Sequence, residues 1–215
     1  MTRASGVKPS ILARIAARRR AGLLVLASAL VSTAALAAGV PVDEASWADK
    51  NAAKKEYTAG TAAFERREFE AALARFRASY DIVASPNSHL MIARALMELG
   101  RPAEAYVELG GVIAEVEATA AHDKYAETAR AAQALRQDLE AKLAFVTVQV
   151  PAQVTVGERE VPVVAWGQPL PFAAGPVKVT VTPRVGEART EELSLVGGAR
   201  VDIDLQPPPP VPPPA

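Results

Sequence analysis

The sequence predicts an α+β protein: an N-terminal α-helical array of two repeats and a capping helix, followed by a small antiparallel β-sandwich. Three observations carry that expectation. Apolar residues recur at helical spacing from Ala48 to Leu143, the spacing changes to alternation after Leu143, and positions within the helical half match one another at an offset of 33 to 34 residues. Half the residues are apolar but only 5% are aromatic, and much of the apolar share is alanine. Helices of that composition pack by close approach rather than through bulky side chains.

The first element is a leader. Residues 1–37 carry six basic residues and no acidic one, ending in Arg18-Arg19-Arg20. Ala21 to Ala34 is uncharged, and Ala35-Leu36-Ala37 stands before Ala38, which is the order of a secretory signal peptide cleaved after Ala37. The alternative is an inner-membrane signal anchor, since residues 21–40 give about 20 uncharged residues, enough to cross a bilayer. Arg19-Arg20 is followed by Ala21-Gly22 and lacks the bulky pair of a twin-arginine signal. The expected location is the periplasm or cell envelope, with membrane attachment only if the segment is uncleaved. Without the leader, 18 basic residues face 24 acidic ones, a balance that argues against general nucleic-acid binding. The absence of cysteine excludes disulfides, thiolate metal sites and cysteine nucleophiles.

The helical half, residues 48–143, comes next. Phe69, Ala72, Leu73, Phe76 and Tyr80 fall on one stripe of a helix, and Glu70, Arg75 and Arg77 look outward. Tyr125, Ala129, Ala132, Leu135, Leu139 and Leu143 make the same pattern in the last helix. Gly60, Ala63-Phe64, Phe69, Ala72-Leu73 and Phe76 align with Ala93, Leu96-Met97, Pro102, Ala105-Tyr106 and Leu109. Small residues at 60, 72, 93 and 105 let paired helices approach, and Pro102 suits the first turn of a helix, where its missing N–H is not needed.

This pattern resembles the tetratricopeptide repeat over residues 48–118, with 119–143 as a degenerate third unit or capping helix. It departs from the family where Glu56 stands at the tryptophan position, where the closing proline is displaced to Pro86, and where Pro102 replaces an aromatic. The resemblance implies a groove that binds a partner protein or peptide through the first helix of each pair. Carried over by position, the groove residues are Lys54, Tyr57, Thr61 and Glu65 from the first repeat and Asn87, Leu90, Arg94 and Met97 from the second. Tyr57 and Thr61 do not reproduce the lysine and asparagine clamp with which some members hold a C-terminal carboxylate.

The β half, residues 144–206, is expected to hold strands at Phe145–Val150, Gln153–Val156, Val161–Ala165, Val177–Val181, Leu193–Leu195 and Val201–Leu205. Gly157, Gly167, Gly175-Pro176, Gly186 and Gly197-Gly198 separate them. The order of Pro151-Ala152-Gln153, Gly157 and Gly175-Pro176 ahead of Val177–Val181 resembles the PEGA-type surface domain, although the glutamate-glycine core of its signature is missing. In bacterial envelope proteins a tetratricopeptide array followed by such a β domain is a recurring pairing. The tail, residues 207–215, is nearly all proline and suits an extended polyproline II segment.

No nucleotide-binding loop or nucleophile elbow occurs, and no catalytic, cofactor or metal residues are assigned. His89, at the start of a repeat helix, reads as a packing or capping residue, and His122 beside Asp123 as a solvated one. Asp202 and Asp204 share a strand face but offer too few oxygens for calcium. Trp166, between turn residues, is the one candidate glycan contact, because an indole can stack on a sugar ring. The function expected from the sequence is therefore a non-catalytic interaction or scaffold protein of the envelope, with polysaccharide (peptidoglycan) binding by the β domain as the alternative.

Overall fold

A computed structural model of the chain describes residues 39–149, 153–182 and 188–203; the expected signal segment, the proline tail, Asp204, Gly186 and Pro151-Ala152 lie outside the described residues. Five helices followed by mixed sheets make the class α+β. The described residues divide between Leu143 and Ala144 into two compact units. Among the described residues no helix is long and apolar enough to cross a membrane.

In the helical unit a strap with a short strand β1 (Val40–Pro41) leads into α1 (Trp47–Glu65), α2 (Phe69–Ile82), β2 (Val83–Ala84), α3 (Pro86–Glu98), α4 (Pro102–Ala118), a 3-10 turn (His122–Tyr125) and α5 (Ala126–Glu140). Ser46 starts α1 with a capping box: its Oγ accepts from the Asp49 N–H at 3.1 Å, while the Asp49 carboxylate accepts from the Ser46 N–H at 3.2 Å. Each helix packs on the next in sequence.

The 33-residue offset reappears in the turns. Arg67 (φ 63°) and Gly100 (φ 70°) occupy matching left-handed positions after α1 and α3. Behind them, Glu68 N–H donates to Ala63 O at 3.0 Å and Arg101 N–H to Leu96 O at 2.9 Å, so both helices end on the same six-to-one backbone bond. Pro102 opens α4, and Pro86 opens α3 in the same way.

The small residues sit where helices meet. Gly60, Ala72, Ala93 and Ala105 are all buried, and a Cβ on Gly60 would lie 2.7 Å from the Phe76 ring. Phe76 is fully buried with the rings of Tyr57 and Phe64 at 5.6 and 6.5 Å, an aromatic filling between α1 and α2, and Leu109, 33 residues on, is likewise fully buried in α4. The last helix is shorter than its stripe implies. It stops at Glu140 because Ala141-Lys142 turns, with Lys142 N–H on Leu139 O at 3.0 Å, and Leu143 instead begins a strand.

The second unit carries β3 (Leu143–Val148), β4 (Gln153–Val156), β5 (Arg159–Val161), β6 (Leu170–Ala173), β7 (Gly175–Thr182), β8 (Arg189–Leu195) and β9 (Arg200–Ile203). Strands β5-β4-β7-β8 form one antiparallel sheet, and β6-β3-β9 form a second. Alternate residues of both, among them Val146, Val148, Val154, Val156, Val179, Val181 and Ile203, enter one shared core.

The expectation of purely antiparallel pairing needs correction, since β3 and β9 run parallel from Phe145↔Arg200 to Val148↔Ile203. A parallel pair requires a long crossover, and all of β4 to β8 supplies it. Val161–Ala165 is not one strand: β5 ends at Val161, Pro162 follows, and Val163–Ala165 forms a 3-10 turn before β6, a strand the alternation did not reveal. Strand β8 reaches back to Arg189 because β7 pairs along its length, which places Glu191-Glu192 inside a strand with Glu192 opposite Lys178.

Candidate functional site

Where the strap, α1, the end of α2 and the start of α3 meet, the helical unit forms an open cleft of about 230 Å³. Lys50, Ala53, Lys54 and Tyr57 come from one stripe of α1, spaced at three and four residues so that they share a face. Val42 of the strap and Val83 of β2 supply apolar surface, and Ser79, Ser85, Asn87 and Ser88 supply hydroxyl and amide groups. The Ser79 and Ser88 hydroxyls are 2.9 Å apart, one donating to the other. The charged lining groups are the two lysines, and the first turn of α3 adds the positive end of a helix dipole.

Three of the eight groove residues expected from the repeat pattern, Lys54, Tyr57 and Asn87, line this cleft. Asn87 Oδ1 also accepts from the Thr128 hydroxyl of α5 at 2.6 Å. The remaining five stand elsewhere. Thr61 donates to Tyr57 O in its own helix at 3.1 Å; Glu65 and Arg94 are exposed; Met97 is half-buried. Leu90 is buried in the core. Sequence reasoning missed Lys50, Ser85, Ser88 and the strap. Lys50 was legible as the residue one turn before Lys54, whereas the strap's return to β2 left no local signal.

The titratable cluster of this unit lies around His89, which is buried. Its Nε2 is 2.7 Å from Glu108 Oε2 of α4, and its Nδ1 is 3.1 Å from Glu115 Oε1 of the same helix, within ion-pair range but off the line of a hydrogen bond. Tyr80 of α2 donates its phenolic proton to Glu115 Oε1 and its ring lies tilted against the imidazole, with ring centroids 4.8 Å apart. Burial pushes the Glu115 carboxyl up to about 7, and its second oxygen is buried without a partner. The three side chains surround the imidazole instead of converging on a point, and among the described residues no group of three or more could hold a metal ion. The packing reading of His89 was incomplete; the missing signal is Glu108-x-x-Gly111-x-x-x-Glu115, which puts two carboxylates and a gap on one helix face.

Gly111 makes that gap. A Cβ there would stand 2.6 Å from His89 Cε1, whereas a Cβ on neighbouring Gly110 would meet nothing closer than Arg136 Nε at 3.8 Å. Gly111→Ala is therefore expected to destabilise the helical unit by about 1–3 kcal/mol through overpacking. Gly110→Ala gains up to about 1 kcal/mol of helix propensity. Urea midpoints of the two variants check the contrast, and a stabilised Gly111→Ala would show that the imidazole can move aside.

Elsewhere, a second hollow of about 470 Å³ between α4 and α5 gathers none of the expected groove residues. His122 is exposed, with Nε2 3.3 Å from Asp123 Oδ1, and Asp202 is exposed on β9. Trp166 is half-buried against the core of the second unit, and its indole Nε1 is shielded from water without an acceptor. That placement turns the polar edge of the ring inward and leaves only part of it for stacking on a sugar. No family model matches the chain, and neither does any curated protein or solved structure.

Proposed function

We propose that this chain is an exported, non-catalytic interaction protein of the bacterial envelope, whose tetratricopeptide-type helical array binds a partner protein or peptide. The PEGA-like β unit, read as a small sandwich, serves as a second contact or a spacer. The observation that carries the reading is the cleft at Lys54, Tyr57 and Asn87, where the first helices of both repeats supply adjoining polar and aromatic side chains around an apolar floor. Such a mixture suits an extended peptide, with Tyr57 as a rigid anchor and the lysines steering approach.

Site-specific photo-crosslinking in the native envelope tests it. Crosslinkers at Lys54 and Asn87 are expected to capture the same partner, while one at Arg77, exposed on α2, captures none. Asn87→Arg, which fills the cleft mouth, is expected to weaken the association about tenfold or more without moving the melting temperature by over a few degrees. Equal capture from Arg77, or unchanged association in Asn87→Arg, sinks the proposal.

A further inference from the structure

The contacts around His89 join three helices through groups that gain and lose protons. Tyr80 comes from α2, His89 from α3, and Glu108 and Glu115 from α4. Nearby charges on adjoining elements are engaged elsewhere: Asp43 of the strap accepts from Thr119 at 2.6 Å, Glu56 of α1 pairs with Arg75, and Arg136 and Glu140 of α5 contact Tyr106. The cluster is thus set by its own four side chains. An imidazole carries N–H donors on both nitrogens only when charged, and here each nitrogen faces a carboxylate.

We propose that Tyr80, His89, Glu108 and Glu115 form a proton-responsive latch that ties α3 to α2 and α4, tight at mildly acidic pH and slackened above neutrality. Losing the Glu115 proton places a charge on a half-buried carboxyl whose Oε2 has no hydrogen-bond partner, on the helix face it shares with Glu108, which is unfavourable where water is largely excluded. Geometry leaves no slack to relieve this, because the ring is pinned by Gly111 on one side and Tyr80 on the other.

The sign of the effect follows from Glu115. Its folded-state value of about 7 lies above the ordinary 4.5, so the folded chain keeps a proton that the unfolded chain releases. The stability this supplies is complete below the ordinary value and is lost as pH rises to the folded one. The window of the latch is therefore the span between those two values of Glu115, from mildly acidic to neutral pH. His89 directly follows Asn87 and Ser88, and a slackened α3 moves one wall of the cleft.

Thermal unfolding of the helical signal in the full chain, followed from pH 5.5 to pH 8, tests the latch. The wild-type midpoint is expected to fall by about 5 °C or more across that range, and Glu115→Gln, which keeps the shape but cannot ionise, to lose most of the fall. An equal fall in Glu115→Gln overturns the proposal. If that variant does not fold, the carboxyl carbon of Glu115 in the wild-type chain is titrated by NMR: a midpoint near neutrality supports the latch, and one near the ordinary carboxylate value of 4.5 overturns it.

Discussion

Phe76→Ala is expected to cost the helical unit about 3–5 kcal/mol, the largest effect of any single truncation there. Phe76 is wholly buried, and it is the residue against which Gly60, Tyr57 and Phe64 all close. Its removal deletes transfer energy and leaves a cavity whose walls are held apart by two helices, so collapse is incomplete. Because domains of this size have only about 5–15 kcal/mol in total, the variant sits near its unfolding threshold. A second substitution isolates the cause. Gly60→Ala alone drives a methyl group into the Phe76 ring and is destabilising, but in the Phe76→Ala background only the tight 3.2 Å approach to Arg75 Cβ is left, and part of the higher helix propensity of alanine, up to about 1 kcal/mol, is recovered. Urea unfolding of the four-member cycle measures this. Additive effects would mean that the two positions do not meet.

Val146→Asp is expected to unfold the second unit outright. Val146 is fully buried in β3, the central strand of the three-stranded sheet, and the buried side chains of its core are all apolar, valines, alanines, a leucine, an isoleucine and a phenylalanine, with the indole of half-buried Trp166 as the one polar edge packed against them. A carboxylate placed there either ionises in an apolar medium or holds a proton at neutral pH, and the cost is on the order of 4 kcal/mol or more. Val146→Thr, with the same shape and one hydroxyl, costs about 1–3 kcal/mol and keeps the fold. Limited proteolysis reads the difference: cleavage within residues 144–203 of the aspartate variant, beside a protected helical fragment, is the expected pattern. Resistance equal to wild type would place Val146 outside the core.

What was legible in the sequence follows the range over which each signal acts. The helix pairs were readable because Gly60, Ala72, Ala93 and Ala105 repeat at one offset and all four are buried in helices that pack on the next in sequence. Pro102 was readable because a first-turn proline has a local cause. The strands with clean alternation, β4 and β7, were readable for the same reason. Strand β6 was not, since Leu170-Pro171-Phe172 buries two consecutive residues and breaks the period. The charged start of β8 was hidden because β7, not its own composition, holds it in the sheet. Around the cleft, Lys54, Tyr57 and Asn87 are the lining residues that the 33-residue offset had singled out, while the His89 cluster went unread. Glu108 and Glu115 border the apolar stripe of α4 and look like solvated positions until α2 and α3 are laid over them.

The parallel pairing of β3 with β9 also sets a schedule for assembly. Most contacts of the helical unit join elements adjacent in sequence, so that unit has the low contact order of fast-folding proteins. Strand β3 must instead wait for a partner that lies 55 residues downstream, from Phe145 to Arg200. Until that partner is made and delivered, one edge of an apolar strand stays open to any other chain with a free edge of its own. The residues that complete the second unit are the last of it to be synthesised, and its period of vulnerability lasts as long as their arrival takes.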